Sequence, residues 1–387
     1  MGLLIFLVQV VAVIVVVGSL GLCYALLHPP RKGDGYALGR RLPLDPGALG
    51  LAFVDQTFTL PDGTTTASWL IQGGDRDAPT LVVTHGWGDG RHDMLARYEP
   101  IWQDLAKQCT RIVIYDVRGH GESTARISHL SIAEPDDLRA ILDQLDAQAA
   151  HAGESRYMLW GCSMGANVSI VAAGREARDM QGWGRTSYSL SLRGPRERPG
   201  VRVTGSSNTS NHSAGHGDPK HPHPIPLPQK GEGTGKAACD CLRPRICGVI
   251  ADGPYRHAVE PLVGILRQRR YPPYPFAHLS LAIAGLFVGG FVDFDRARHA
   301  ARLRAPLLVL HGDGDAICPL ASAQAIAAAA PDGQLVEFPN AGHLDLAQRQ
   351  PARYLGALTE LLQRVRHESA PLLDARKETD DQPRGSH

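Results

Sequence analysis

Residues 157–173, YMLWGCSMGANVSIVAA, decide how the chain is read. An apolar run ends at Gly161, a serine follows at 163, and Gly165 opens a run of small residues. The first run has the character of a strand buried on both faces, and the second that of a packed helix. A plain turn between them needs one glycine at most. Two glycines around one serine predict a backbone bent so tightly that a side chain at either flank would collide with it.

Working outward, the same short, continuous apolar runs recur. They are TLVVTHG (80–86), RIVIYDVRG (111–119), ICGVIADGP (246–254), PLLVLHGDGD (306–315) and QLVEFPNAGH (334–343). Runs of this kind are strands covered on both faces. Helical pieces such as PDDLRAILDQLDAQAA (135–150) lie between them. Strand–helix alternation predicts an α/β protein with a mostly parallel central sheet and helices on both faces. Before these runs, LAFVDQTFTLPDG and TASWLIQGG predict a hairpin turning at Pro61-Asp62-Gly63.

In such sheets, chemistry gathers where loops leave the carboxyl ends of the strands. Ser163 stands there, between a strand and a helix, inside G-x-S-x-G. That context is the one in which a serine Oγ is held exposed on a strained turn as a nucleophile. The following helix aims its free N–H groups and positive dipole end at the same place. A serine hydroxyl needs a base within hydrogen-bond reach, and His343, in NAGHLD after a strand, is the candidate. A carboxylate must orient that histidine and stabilise its cation. HGDGD offers two, Asp313 and Asp315.

These segments resemble the α/β-hydrolase family over most of residues 50–365. THGWGDG resembles its oxyanion loop and YDVRGHGES another recurrent family segment. GCSMGA resembles the elbow, HGDGDAICP the acid loop and NAGHLD the histidine loop. The order serine, aspartate, histidine also matches. The resemblance implies Ser163, Asp315 and His343 as catalytic residues, with Asp315 the last residue of an H-G-x-x-D pattern. It implies the backbone N–H groups of Trp87 and Met164 as oxyanion donors, and Gly161 and Gly165 as the elbow glycines. His85, His120 and His311 are expected to support their loops. Asp116, Arg118 and Glu122 are expected to hold the DVRGHGES loop by ion pairs and hydrogen bonds. Asp345 is expected as a surface charge, and Cys162 as a core residue rather than a rival nucleophile.

The 387 residues carry a formal net charge of +1 and 43% hydrophobic residues, which gives no electrostatic reason to expect nucleic acid. Seven cysteines without regular spacing make no disulfide framework and fit a reducing compartment. Residues 3–27 hold no charge. As a helix at about 1.5 Å per residue they reach roughly 37 Å, more than the ~30 Å hydrocarbon core requires. With an uncharged start and no small-residue cleavage site, residues 1–30 are expected to be a retained single-span anchor rather than a signal peptide. Arg31, Lys32, Arg40 and Arg41 after the span favour a cytoplasmic-facing domain.

Residues 31–49 are expected as a linker, 50–365 as the hydrolase domain and 366–387 as a disordered tail. Residues 181–243, rich in Gly, Pro, Ser, Arg and His, are expected as a disordered insertion. Their pieces SLSLRGPRERPGVRV and PHPIPLPQKGEG resemble translated bacterial intergenic repeat sequence. The histidines of 211–224 lie inside it and are expected to reflect composition, so no metal site is expected. No G-x-G-x-x-G follows an early strand, so no nucleotide cofactor is expected.

Residues 252–304 are expected to form a cap. Their LSLAIAGLFVGGFV (279–292) is a cap helix lining an acyl pocket, an apolar face resting on a bilayer, or a core helix. The expected function is hydrolysis of a small or lipid-like carboxylic ester through an acyl-enzyme. A peptidase or amidase of the same fold, and a non-catalytic or insertion-inactivated protein, are the alternatives. Nothing in the sequence fixes the oligomeric state.

Overall fold

The structure, a computed structural model, describes residues 1–148, 156–186 and 245–367. Helices α1 (Gly2–Leu27) and α2 (Asp34–Arg40) come first, then the hairpin β1 (Phe53–Thr59) and β2 (Thr65–Gln72). Strand β3 (Thr80–Thr84), helices α3 (Arg91–Arg97) and α4 (Glu99–Ala106), strand β4 (Arg111–Tyr115) and helix α5 (Glu134–Gln148) follow. Strand β5 (Tyr157–Cys162) leads into α6 (Met164–Thr186). After β6 (Ile246–Asp252) come α7 (Val259–Gln268), α8 (Phe276–Val288) and α9 (Ala297–Ala300). The chain closes with β7 (Leu307–Gly312), α10 (Leu320–Ala329), β8 (Gly333–Phe338), α11 (Leu346–Arg349) and α12 (Pro351–His367).

The eight strands form one sheet in the order β1-β2-β4-β3-β5-β6-β7-β8. β1 and β2 pair antiparallel, as do β2 and β4, and every other pair is parallel. Alternation along each strand explains why the apolar runs are unbroken. Val82, Val113 and Leu159 face a core closed by Leu138, Ile141 and Leu142 of α5 and by Val168 and Ile170 of α6. Leu81, Val83, Ile112, Ile114 and Trp160 face the opposite core, closed by Trp102 and Leu105 of α4 and by Tyr354 and Leu358 of α12.

The turn from β5 into α6 answers the glycine question. A Cβ on Gly161 would lie 2.0 Å from the carbonyl oxygen of Gly165, and one on Gly165 would lie 2.1 Å from that of Thr84. Both neighbours are main chain, so nothing can swing aside. Ser163 between them holds a φ of +51°, a left-handed conformation that costs a non-glycine residue about 1–3 kcal/mol.

The amino-terminal helix belongs to the same compact unit as the sheet. It is the one described helix long and apolar enough to cross a membrane. Its buried residues, Ser19, Cys23 and Leu27, all lie in its last third, where it packs along α8. The last carbonyls of a helix have no partner within it, and here other groups supply them. The His28 N–H donates to Tyr24 O, the Trp87 indole N–H to Leu26 O (2.9 Å), and the Ser128 N–H to Leu27 O (2.9 Å). The 31–49 stretch differs from a plain linker. It contains α2 and a 3₁₀ turn, Pro46–Leu49, while Arg31 donates to Ser123 O and Ala125 O, and Lys32 pairs with Asp89 and Asp93.

Residues 187–243 of the expected insertion and 368–387 of the expected tail lie outside the described residues. The insertion's first residues continue α6 to Thr186, and residues 366 and 367 end α12. In the 252–304 stretch, α7, α8 and α9 connect β6 to β7.

Replacing Gly165 with alanine drives a methyl group into the Thr84 carbonyl. We expect Gly165→Ala to cost about 3 kcal/mol or more. Thermal unfolding in detergent checks this, and an unchanged midpoint would contradict the main-chain approach described above.

Candidate active site

Three loops at the carboxyl ends of β5, β7 and β8 bring Ser163, Asp315 and His343 together. His343 Nδ1 lies 2.7 Å from Asp315 Oδ2, and His343 Nε2 lies 3.1 Å from Ser163 Oγ. The carboxylate can only accept, so Nδ1 carries the proton and Nε2 is left to accept from the serine hydroxyl. Asp315 is nearly shut off from solvent, its side chain 1% exposed. Burial opposes its ionisation. The hydrogen bond and charge of His343, with the N–H groups of Cys318 and Ile317 (2.8 Å each), outweigh burial and hold the carboxyl below its usual range. The other carboxylate of the loop, Asp313, accepts from the Asn340 N–H at 2.7 Å and steadies the approach to the histidine loop.

The THGWGDG loop, expected to supply oxyanion donors, follows β3. A Cβ on Gly86 would lie 3.3 Å from Ser163 Cβ, so the backbone entering Trp87 runs against Ser163. Met164 is the first residue of α6, where helix N–H groups lack internal acceptors. Two buried histidines fix this loop. The Val117 N–H donates to His85 Nε2, whose Nδ1–H donates to Gly86 O. The Gly88 N–H donates to His120 Nε2, whose Nδ1–H donates to Arg118 O. Burial, with His85 alongside, pushes the His120 imidazole down to about 3, so it stays a neutral brace.

Ion pairs and hydrogen bonds hold the neighbouring DVRGHGES loop. Arg118 grips Asp137 with two bonds of 2.7 Å and also pairs with Asp62. Asp116 accepts from the Arg91 and Glu122 N–H groups. His311 donates to Cys318 O at 3.0 Å, bracing the acid loop. Asp345 differs from a surface charge: it accepts from the Gly342 N–H at 2.6 Å and pairs with Arg349, fixing the histidine turn.

Cys162 is fully buried on the opposite side of the strand end, with Sγ 3.1 Å from Tyr98 Oη. Burial raises its thiol well above the ordinary value, which keeps it protonated. Asp315, Cys318 and His343 cluster as possible metal donors, but Asp315 and His343 bond to each other and burial keeps the Cys318 thiol protonated.

Two residues escaped the sequence reading. Gly253, at φ +59°, follows β6, and a Cβ there would lie 3.2 Å from His343 Cε1. It is the clearance in which the imidazole sits. Asp252 lies fully buried beneath the elbow. Its carbonyl accepts from the Ser163 N–H, and its Oδ2 accepts from Tyr98 and Tyr354 at 2.7 Å each. Burial raises this carboxyl despite the two tyrosines.

Two predictions separate these carboxylates. Asp315→Asn should lower kcat about 10⁴-fold by misorienting the histidine, whereas Asp313→Asn should stay within about threefold. Steady-state ester hydrolysis by both variants checks this. The Asp252 carboxyl titrates higher folded than unfolded, so stability falls as pH rises from the unfolded value near 4 to the raised folded one, then levels. Asn does not titrate. The stability of Asp252→Asn relative to the parent should therefore grow across that window, and denaturation at stepped pH would contradict it by giving a constant difference.

A family model described as "Serine aminopeptidase, S33" matches residues 77–187. No curated protein sequence matches the chain. Among solved structures, the Pyrococcus furiosus esterase Pf2001 in space group P212121 is 19% identical with a TM-score of 0.56, covering 88% of this chain and 98% of that one. Its P21 crystal form gives 18% identity and a TM-score of 0.55, covering 87% and 99%. Strand order, the turn that carries Ser163, and the family match across that turn agree: the chain has the α/β-hydrolase fold, and its residues 77–187 match the S33 serine aminopeptidase model.

Proposed function

We propose that this chain is a membrane-anchored serine hydrolase that cleaves a small or lipid-like carboxylic ester through an acyl-enzyme. The observation that carries the reading is His343, bonded at once to Asp315 and to Ser163 on a positive-φ turn. Ser163 Oγ attacks the ester carbonyl while His343 Nε2 takes its proton. Asp315 stabilises the imidazolium without taking the proton itself. The N–H groups of Met164 and Trp87 receive the developing oxyanion, each worth about 2.7–4 kcal/mol in the transition state. His343 then returns the proton to the departing alcohol, leaving an acyl-serine. Water attacks that acyl group with the same histidine as base, releases the acid and restores the hydroxyl.

Ester over amide is favoured by the setting: an apolar cap beside an apolar helix suits acyl chains. The amide alternative keeps the support of the matching family's description as aminopeptidases. Retention of α1 is supported by its carbonyls, which accept from Trp87 and Ser128; cleaving the helix away would leave both donors unpaired. The basic residues after α1 support a cytoplasmic-facing domain.

Fluorophosphonate labelling of the full-length chain tests the reading. The parent should label and Ser163→Ala should not, with kcat on p-nitrophenyl esters falling at least about 10⁴-fold. Aminoacyl p-nitroanilides run alongside decide between ester and amide. Well-folded parent that fails to label would overturn the catalytic reading.

A further inference from the structure

The segment joining α7 to α8, RQRRYPPYPF (267–276), has no role in the chemistry above, yet its composition and position are specific. Arg267, Gln268, Arg269, Arg270, Tyr271 and Tyr274 are all exposed, the tyrosines at 61% and 58%. No Asp or Glu occurs between Glu260 and Asp293. Among the described residues, no carboxylate pairs with any of the three arginines. That contrasts with Arg31 and Lys32, whose charged groups are engaged within the domain.

The level of this segment along α1 can be read from contacts. A Cβ on Gly18 would lie 2.7 Å from the Phe276 ring, so the start of α8 sits beside Gly18. At the other end, Leu27 O accepts from Ser128, and Gly290, just past α8, packs on Ile132 of the same loop. Helix α8 therefore runs alongside α1 in the same direction, from Gly18 toward Leu27. Buried positions of α1 begin only at Ser19. The 18 residues before it, at about 1.5 Å each, extend roughly 27 Å, close to the ~30 Å thickness of a hydrocarbon core.

We infer that the 267–276 segment rests in the headgroup layer of the bilayer that α1 crosses, with Arg267, Arg269 and Arg270 on anionic phosphates and Tyr271 and Tyr274 at the apolar boundary. If residues 1–18 fill the hydrocarbon, the boundary falls at Gly18, and the segment beside Gly18 lies where headgroups begin. Tyrosine, with an apolar ring and a polar tip, is enriched at that depth. Arginines near an anionic surface gain on the order of fivefold in association each. The inference rests on the reading of α1 as a retained span. It gives the cap a fixed height at the membrane surface and brings the site to esters carried by lipids. The exposed Leu286, Phe287 and Phe291 lie at the other end of α8, level with Leu27, and serve as the control.

The test uses the full-length chain in nanodiscs of phosphatidylcholine with or without phosphatidylglycerol. A fluorinated tyrosine is placed at 271 or 274, or a fluorinated phenylalanine at 287. Relaxation by a nitroxide-labelled lipid is compared with relaxation by a soluble nickel chelate, and carbonate extraction reports separately on α1. Labels at 271 and 274 should respond to the lipid and resist the chelate, with the reverse at 287. Replacing the three arginines by Gln should weaken the lipid response in anionic discs by roughly fivefold per arginine. Chelate access at 271 and 274 equal to that at 287, with α1 resisting carbonate, would overturn the inference and leave the span standing. Labels screened from both probes would overturn it in favour of a protein cover. Release by carbonate would remove the span reading, and this inference with it.

Discussion

The approach of two stretches of main chain sets the rest of the site. Gly161 meets the carbonyl of Gly165, and Gly165 meets that of Thr84, at distances no Cβ allows. Once the strand turns there, Ser163 has a single place to be, at a left-handed φ between strand and helix. Because β5 lies between β3 and β6, the loop after β3 and Gly253 after β6 arrive on its two sides. The first brings Gly86 against Ser163, and the second opens room for the imidazole. The sheet order thus does the positioning that a constellation of flexible side chains could not.

Electrostatics then separates groups that share a composition. Two buried carboxyls stand near one imidazole and shift in opposite directions. Asp315 has a histidine and two backbone donors and stays ionised, whereas Asp252 has two phenols and is raised. The difference lies in the donors: a bond from a group able to carry positive charge, reinforced by two amides, outweighs desolvation, and two neutral hydroxyls do not. His85 and His120 show a third outcome. Each imidazole accepts one backbone N–H and donates to one backbone carbonyl, which makes it part of the framework rather than of the chemistry.

Strands were legible because burial on both faces leaves an unbroken apolar run, and the elbow because two glycines around a serine have few other uses. HGDGD left two carboxylates open, since neither spacing nor type tells which of them turns toward an imidazole 28 residues on. Gly253 was silent for a similar reason: the ring it clears lies 90 positions further along the chain. Asp345 looked like a surface charge because its partner is a backbone amide, which no sequence pattern displays. The apolar run of the cap stayed ambiguous among pocket, bilayer and core because its partner is α1, more than 250 residues earlier. In the structure one face of α8 lies on α1 and α7, and the end near Val288 leaves Leu286 and Phe287 bare.

The bond from the Trp87 indole to Leu26 O has a consequence for the order in which this protein comes into being. Helix α1 precedes every strand of the sheet in the chain, and the acceptor it offers is complete as soon as it has coiled. The Ser163 N–H finds its acceptor, Asp252 O, only after residue 252 has emerged, and His343 arrives later still. A nascent chain therefore has the partner of Trp87 at hand before Ser163 and His343 can meet. Synthesis delivers the contact with α1 first and the pairing of Ser163 with His343 last.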